Sequence, residues 1–167
     1  MQNKTASEIQ LPIEKEELYA LVPHKGKMFL LSRVNKFDVE NLQIELEYDV
    51  TEQCIFYDES LKGIPSWCSF EIMAQGVAAL ASIKNIVNKV QDKPSPGVVL
   101  SLSNFNAEVD SFPQESTIVI NVKEDYSSGE VSKFSCTILS EKNEKLEQTV
   151  SASLTVMEVK DMEKKLR

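Results

Sequence analysis

Apolar and polar residues alternate over Asn41 to Val50, NLQIELEYDV. Leu42, Ile44, Leu46 and Tyr48 fall on one face, and Gln43, Glu45 and Glu47 on the other. Period two marks a half-buried strand. The apolar run before it, KMFLLSRVNKF, reads as its neighbouring strand. Further upstream, EKEELYALV from Glu14 onward reads as a short amphipathic helix. It ends before Pro23, because the residue preceding a proline disfavours the helical region. Thr51 to Pro65 has no convincing periodicity. A long helix is then predicted from about Ser66 to Val90. Its first half, with Trp67, Phe70, Ile72, Met73, Val77 and Leu80, is apolar nearly all round, as in a buried helix. Pro94, Ser95, Pro96 and Gly97 stop it and form a turn. Four strand-like runs finish the chain: GVVLSLSNFNAEVD, STIVINVKED, EVSKFSCTILSE and EQTVSASLTVMEV. FPQE, YSSG and EKNE sit between them as turns. Short connections of this kind predict an antiparallel meander.

The element order is therefore short helix, two strands, irregular loop, long helix, four strands. One helix cannot cover a six-stranded sheet from both sides, so the simplest packing is α+β, a curved antiparallel sheet wrapped around that helix. The chain shows no repeat, linker or second domain. Residues 1–13 are polar and expected to be flexible, and 14–160 form a single domain. With 167 residues, one sizeable core is possible.

Composition narrows the functions open to it. A net charge of -8 argues against a nucleic-acid partner, since phosphate binding relies on basic surfaces. No run comes near the ~18–20 apolar residues that cross a bilayer, so no membrane span is expected. The N-terminus, MQNKTASEIQLP, has no apolar core like that of a signal peptide, which points to the cytoplasm. The cysteines, Cys54, Cys68 and Cys136, are odd in number and form no C-x-x-C pair, so neither a disulfide framework nor a zinc site is expected. Any imidazole chemistry in this chain must use its one histidine, His24.

One residue of the long helix breaks its pattern. GIPSWCSFEIMAQGVAALAS, Gly63 to Ser82, holds a single carboxylate, Glu71. Burying an unpaired carboxylate is costly. Glu71 either caps or salt-bridges the helix start, or is a catalytic carboxyl whose pKa apolar surroundings raise.

The segment EIMAQ, Glu71 to Gln75, after the turn GIPSW, resembles the helix start of the hotdog-fold 3-hydroxyacyl-(acyl-carrier-protein) dehydratases. FabZ-like enzymes carry E-x-M-A-Q there. LVPHKGKMFLLSRV, Leu21 to Val34, resembles the same family's L-P-H-R-x-P-x-L-L-V-D-R-V. The resemblance spans about Glu14 to Val159. It is closest to the ApeP-like branch, associated with aryl polyene pigment biosynthesis, where P-x-W precedes the helix motif as Pro65-Ser66-Trp67 does here. It implies a hotdog fold and removal of water from a 3-hydroxyacyl thioester on the phosphopantetheine arm of an acyl carrier protein, in fatty-acid or aryl polyene-type biosynthesis. It implies no metal or nucleotide cofactor. The partners it implies are the carrier protein and a second hotdog subunit, identical or different. Catalysis needs a base for the C2 proton, an acid for the leaving hydroxyl and stabilisation of the enolate oxygen. The family's glutamate corresponds to Glu71. Gln75, one turn on and on the same face, either orients the carboxyl or the thioester or makes a structural hydrogen bond. The Gly63 turn and the backbone N–H groups near Ser66 and Trp67 are placed against the substrate.

The chain departs from the FabZ-like pattern in CIFYDESLKGIPSW, which has no histidine where those enzymes carry G-H-F-P-G. The ApeP-like branch generally lacks that segment too. His24 then supplies the second group, or shapes a turn. Tyr57 and Asp58 stand near the missing histidine, and Asp58 is a substitute acid or a solvated loop residue. Cys68, at the helix N-terminus, is a nucleophile or a buried packing residue. Met73 and Trp67 read as core or tunnel wall. Lys25, Lys27, Arg33 and Lys36 either meet an acidic carrier protein or are ordinary solvated charges. A hotdog thioesterase and a non-catalytic hotdog subunit are the alternative readings.

Overall fold

Ile44, Leu46 and Tyr48 are all buried, and Gln43, Glu45 and Glu47 face outward, as their alternation requires. The computed structural model describes residues 9–90 and 96–159. Most of the N-terminal segment, the Pro94–Ser95 half of the turn and residue 160 lie outside the described residues. The described residues form helices α1 (Lys15–Leu21) and α2 (Ser69–Val87). The strands are β1 (Arg33–Asp38), β2 (Gln43–Asp49), β3 (Gly63–Pro65), β4 (Gly97–Ala107), β5 (Ser111–Pro113), β6 (Thr117–Ser128), β7 (Val131–Lys142) and β8 (Lys145–Glu158). Six strands make one antiparallel sheet in the order β1-β2-β6-β7-β8-β4. β3 and β5 form a separate pair.

The curved sheet wraps α2. Ile72, Met73, Leu80 and Ile83 of the helix are fully buried with Leu46, Ile118, Ile120 and Leu154 of the sheet. Closest approach is at Gly76, where a Cβ would come within 3.0 Å of Val122 and 3.2 Å of Leu46. A glycine inside a helix costs up to about 1 kcal/mol relative to alanine, and here the gain is contact with the sheet.

Several expectations are corrected. The long helix begins at Ser69, because Ser66–Cys68 forms a 3₁₀ turn. By length and composition Ser66–Val87, 22 residues, does reach the range of a bilayer-spanning helix, although half of that stretch is buried inside the protein. KMFLLSRVNKF is strand only from Arg33; Gly26–Met28 is a 3₁₀ turn and Phe29, Leu30 and Leu31 are buried without a strand. The Leu30 N–H finds its partner in the side chain of Gln75 rather than in a ladder. FPQE begins as strand, with Phe112 fully buried opposite Ile64, and the turn follows it. Only β6, β7 and β8 form a meander. β4 crosses to the far edge and pairs with β8, because α2 carries the chain across the sheet before β4 begins.

Candidate active site

On α2, Glu71, Ala74, Ala78, Ala81 and Asn85 recur every three or four residues, so they share one face. They are half-buried, while most of the helix around them is buried. Three alanines cannot fill the space between this face and the sheet. The result is a cavity of about 540 Å³, bounded also by Phe134 of β7, Val156 of β8 and Val99 of β4. That is an ordinary size for a small-molecule site.

His24 reaches the same cavity from the loop after α1. The loop is held by its neighbours. Gly26 takes a left-handed φ of 59° and donates its N–H to the Tyr19 hydroxyl at 3.0 Å. The Lys25 ammonium donates to the carbonyls of Tyr19 and Val22 and sits 4.3 Å from the Tyr19 ring centre. The Tyr19 ring stands edge-on to Phe29. These contacts turn His24 inward and leave the Lys25 ammonium engaged.

His24 Nε2 lies 3.4 Å from Glu71 Oε1, with the two side chains 27% and 20% exposed, so a substrate can reach both. The His24 Nδ1 is buried and has no hydrogen-bond partner among the described residues, so its ring is oriented from the Nε2 side. Burial pushes the imidazole below its usual pKa, against the opposing pull of Glu71 and with help from Lys25. The ring is therefore neutral near pH 7 and available as a base. Gln75, fully buried, positions the carboxylate. Its Nε2 donates to Glu71 Oε1 at 3.2 Å and to the Met28 carbonyl at 2.6 Å, while its Oε1 accepts the Leu30 N–H at 2.8 Å. One amide thus ties α2 to the loop that carries His24. Glu71 is neither unpaired nor sealed from water.

The family model for ApeP-like proteins, described as ApeP dehydratase, matches residues 16–167. The chain belongs to the ApeP-like dehydratase family. Its fold is a hotdog, similar to the dehydratase heterocomplex ApeI:P from Xenorhabdus doucetiae, with TM-score 0.78, 20% identity, and 95% of this chain and 97% of that chain covered. The Escherichia coli PaaI protein from the phenylacetic acid degradation operon is similar at TM-score 0.54 and 8% identity, covering 74% of this chain and 80% of that one. A hypothetical thioesterase from Streptococcus pneumoniae, solved with coenzyme A, is similar at TM-score 0.51 and 12% identity, with coverages of 75% and 84%. Comparison with curated proteins finds no match.

In this ApeP-like chain the structure brings together Glu71, His24 and Gln75, and places the other candidates elsewhere. Gly63 pairs with Pro113, and a Cβ there would meet the Phe112 carbonyl oxygen at 2.1 Å; its smallness serves the β3–β5 contact. The Ser66 N–H, expected to be free for a thioester oxygen, donates to the Asp110 carbonyl at 2.8 Å. Trp67 is 55% exposed and stacks edge-on against Phe56, so it is neither core nor cavity wall; Met73 is core. Burial pushes the Cys68 thiol up to about 12, which makes it a packing residue. Asp58 is half-buried and accepts from the Ser60 hydroxyl and N–H, which hold its pKa below the usual value, and Tyr57 donates to Gln114. Arg33 pairs with Glu47 and Asp49, and Lys36 with Glu45.

Lys84 of α2 and Glu124 of β6 are among the cavity residues not singled out from the sequence. STIVINVKED carried the signal: Glu124 continues the inward row Ile118, Ile120 and Val122, which asks the same question as Glu71 does in the helix.

Proposed function

We propose that this ApeP-like dehydratase removes water from a 3-hydroxyacyl thioester, held on the phosphopantetheine arm of a carrier protein, with His24 and Glu71 as its acid–base pair. The supporting observation is the 3.4 Å approach of His24 Nε2 to Glu71 Oε1 in the wall of an elongated cavity. Neutral His24 takes the C2 proton. The proton passes to the Glu71 carboxylate, which delivers it to the C3 hydroxyl as the C3–O bond breaks. One proton leaves carbon, one reaches oxygen, water departs, and the pair returns to its starting state. Gln75 holds the carboxylate on the path of that transfer.

A second hotdog subunit completes the cavity in this reading. β4 lies at the sheet edge, paired with β8 alone among the described residues. Its Val98, Val99, Leu100 and Leu102 are 41–51% exposed. A long apolar edge is an invitation to pair, and Val99 also lines the cavity, so a strand added to β4 covers the open side of the site. The partner is a second copy of this chain or another hotdog subunit.

The test is incubation of the purified protein with a 3-hydroxyacyl carrier-protein thioester and, separately, with a plain acyl carrier-protein thioester. Loss of water from the first, seen by mass, is the expected result. Hydrolysis of the second without dehydration of the first would assign a thioesterase. Inactivity on both, with copurification of another hotdog chain, would assign a non-catalytic subunit.

A further inference from the structure

The cavity is not uniform along its length. Its middle is apolar, walled by Ala74, Ala78, Ala81, Phe134 and Val156. From Glu71 to Lys84 is thirteen residues of helix, roughly 20 Å at about 1.5 Å per residue. At that far end Lys84 Nζ lies 3.5 Å from Glu124 Oε2, and the Glu124 side chain is only 8% exposed. Glu124 sits beside an irregularity in the β6–β7 ladder, between Glu124 and Tyr126. Bulges of this kind re-aim side chains beside binding sites. Asn85, Glu130 and Glu158 line the same end.

We infer that Lys84 and Glu124 determine which acyl chain the site accepts, selecting one whose far end carries a neutral hydrogen-bonding group such as a hydroxyl over one ending in a methyl. The inference rests on the reading of the cavity as an acyl site. Lys84 donates and Glu124 accepts, and a hydroxyl does both. A methyl terminus placed there would separate the pair from solvent without replacing any contact. A carboxylate terminus would meet the Glu124 and Glu158 side chains beside one lysine. The same charge disfavours the phosphate-bearing pantetheine arm at this end, so that arm leaves on the His24 side. If the pair were only a clamp between the last turn of α2 and β6, its removal would change stability and leave ligand preference alone.

The test measures binding apart from turnover. The probes are two acyl-pantetheine thioethers of equal length, one methyl-ended and one hydroxyl-ended, which can be neither dehydrated nor hydrolysed. Titration calorimetry on the natural chain should show the hydroxyl-ended probe binding about tenfold tighter, the contribution of one good hydrogen bond to a charged group. In Lys84→Met/Glu124→Leu, an exchange of an ion pair for apolar groups that proteins commonly tolerate, the preference should vanish or reverse. Glu124→Gln, nearly isosteric, should weaken it in a chain that folds as the parent does. Equal affinities in the natural chain, no binding of either probe, or a preference that survives in a folded variant would overturn the assignment. Dehydration of a 3-hydroxyacyl thioester, measured alongside, reports separately on the acid–base reading.

Discussion

At the scale of residues, a substrate can reach the His24–Glu71 contact, and Gln75 holds that contact in place. His24→Ala and Glu71→Gln should each lower dehydration by about 10²–10⁴-fold, as loss of an acid–base group does. The double variant should be little worse than either single one, as expected of two groups that act as a unit. Because burial lowers the His24 pKa, the neutral base persists to more acid pH than in a free imidazole, and the acid limb of kcat/KM should fall below about 6.5. The same shift bears on stability. Between the unfolded pKa and the lower folded one the unfolded chain binds more protons, so stability present above about 6.5 is lost as pH falls toward the folded value. A limb at or above that pH would contradict the burial argument. Gln75→Leu should leave the Leu30 N–H and Met28 carbonyl unpaired. A loss of about 1–3 kcal/mol in denaturant unfolding, with reduced kcat in the folded fraction, is expected. Glu71, Gln75 and His24 were legible in the sequence: a carboxylate in an apolar helix, an amide one turn on, and a lone imidazole. The engagement of the Ser66 N–H was not, because its partner Asp110 is 44 residues away and nothing local announces it.

At the scale of elements, α2 supplies both the core and the site from different faces. Gly76 lets the sheet press on one side, and Ala74, Ala78 and Ala81 hold the other side open. Ala78→Phe should fill the middle of the cavity and raise KM for long acyl substrates far more than for short ones. Thermal unfolding should show the fold retained, since the position is half-buried beside empty space. Equal loss for long and short chains would mean the acyl chain does not run along this face. Alternation in the sequence located β2, which buries alternate residues, and strand-like runs between turns located β4, β6, β7 and β8. Alternation did not give the place of β4 in the sheet, since period two says which face a residue occupies and not which strand lies alongside. It also missed β3 and β5, three residues each, too short to show a period.

At the scale of the whole molecule, an exposed apolar edge and an open-sided cavity lie together at β4, and pairing would close both. Leu100→Lys should shift the protein toward monomer in sedimentation and lower activity in proportion, without disturbing His24 or Glu71. A fully active monomer at micromolar concentration would remove the need for a partner strand. The acid–base pair is tested most directly by the turnover of a 3-hydroxyacyl carrier-protein thioester by the natural chain, with any required hotdog partner present, beside folded His24→Ala under the same conditions. The natural chain should release water to give the 2-enoyl thioester, and His24→Ala should fall at least about 100-fold. Unchanged turnover by folded His24→Ala would contradict the pair and move the missing group to another residue or to the partner subunit.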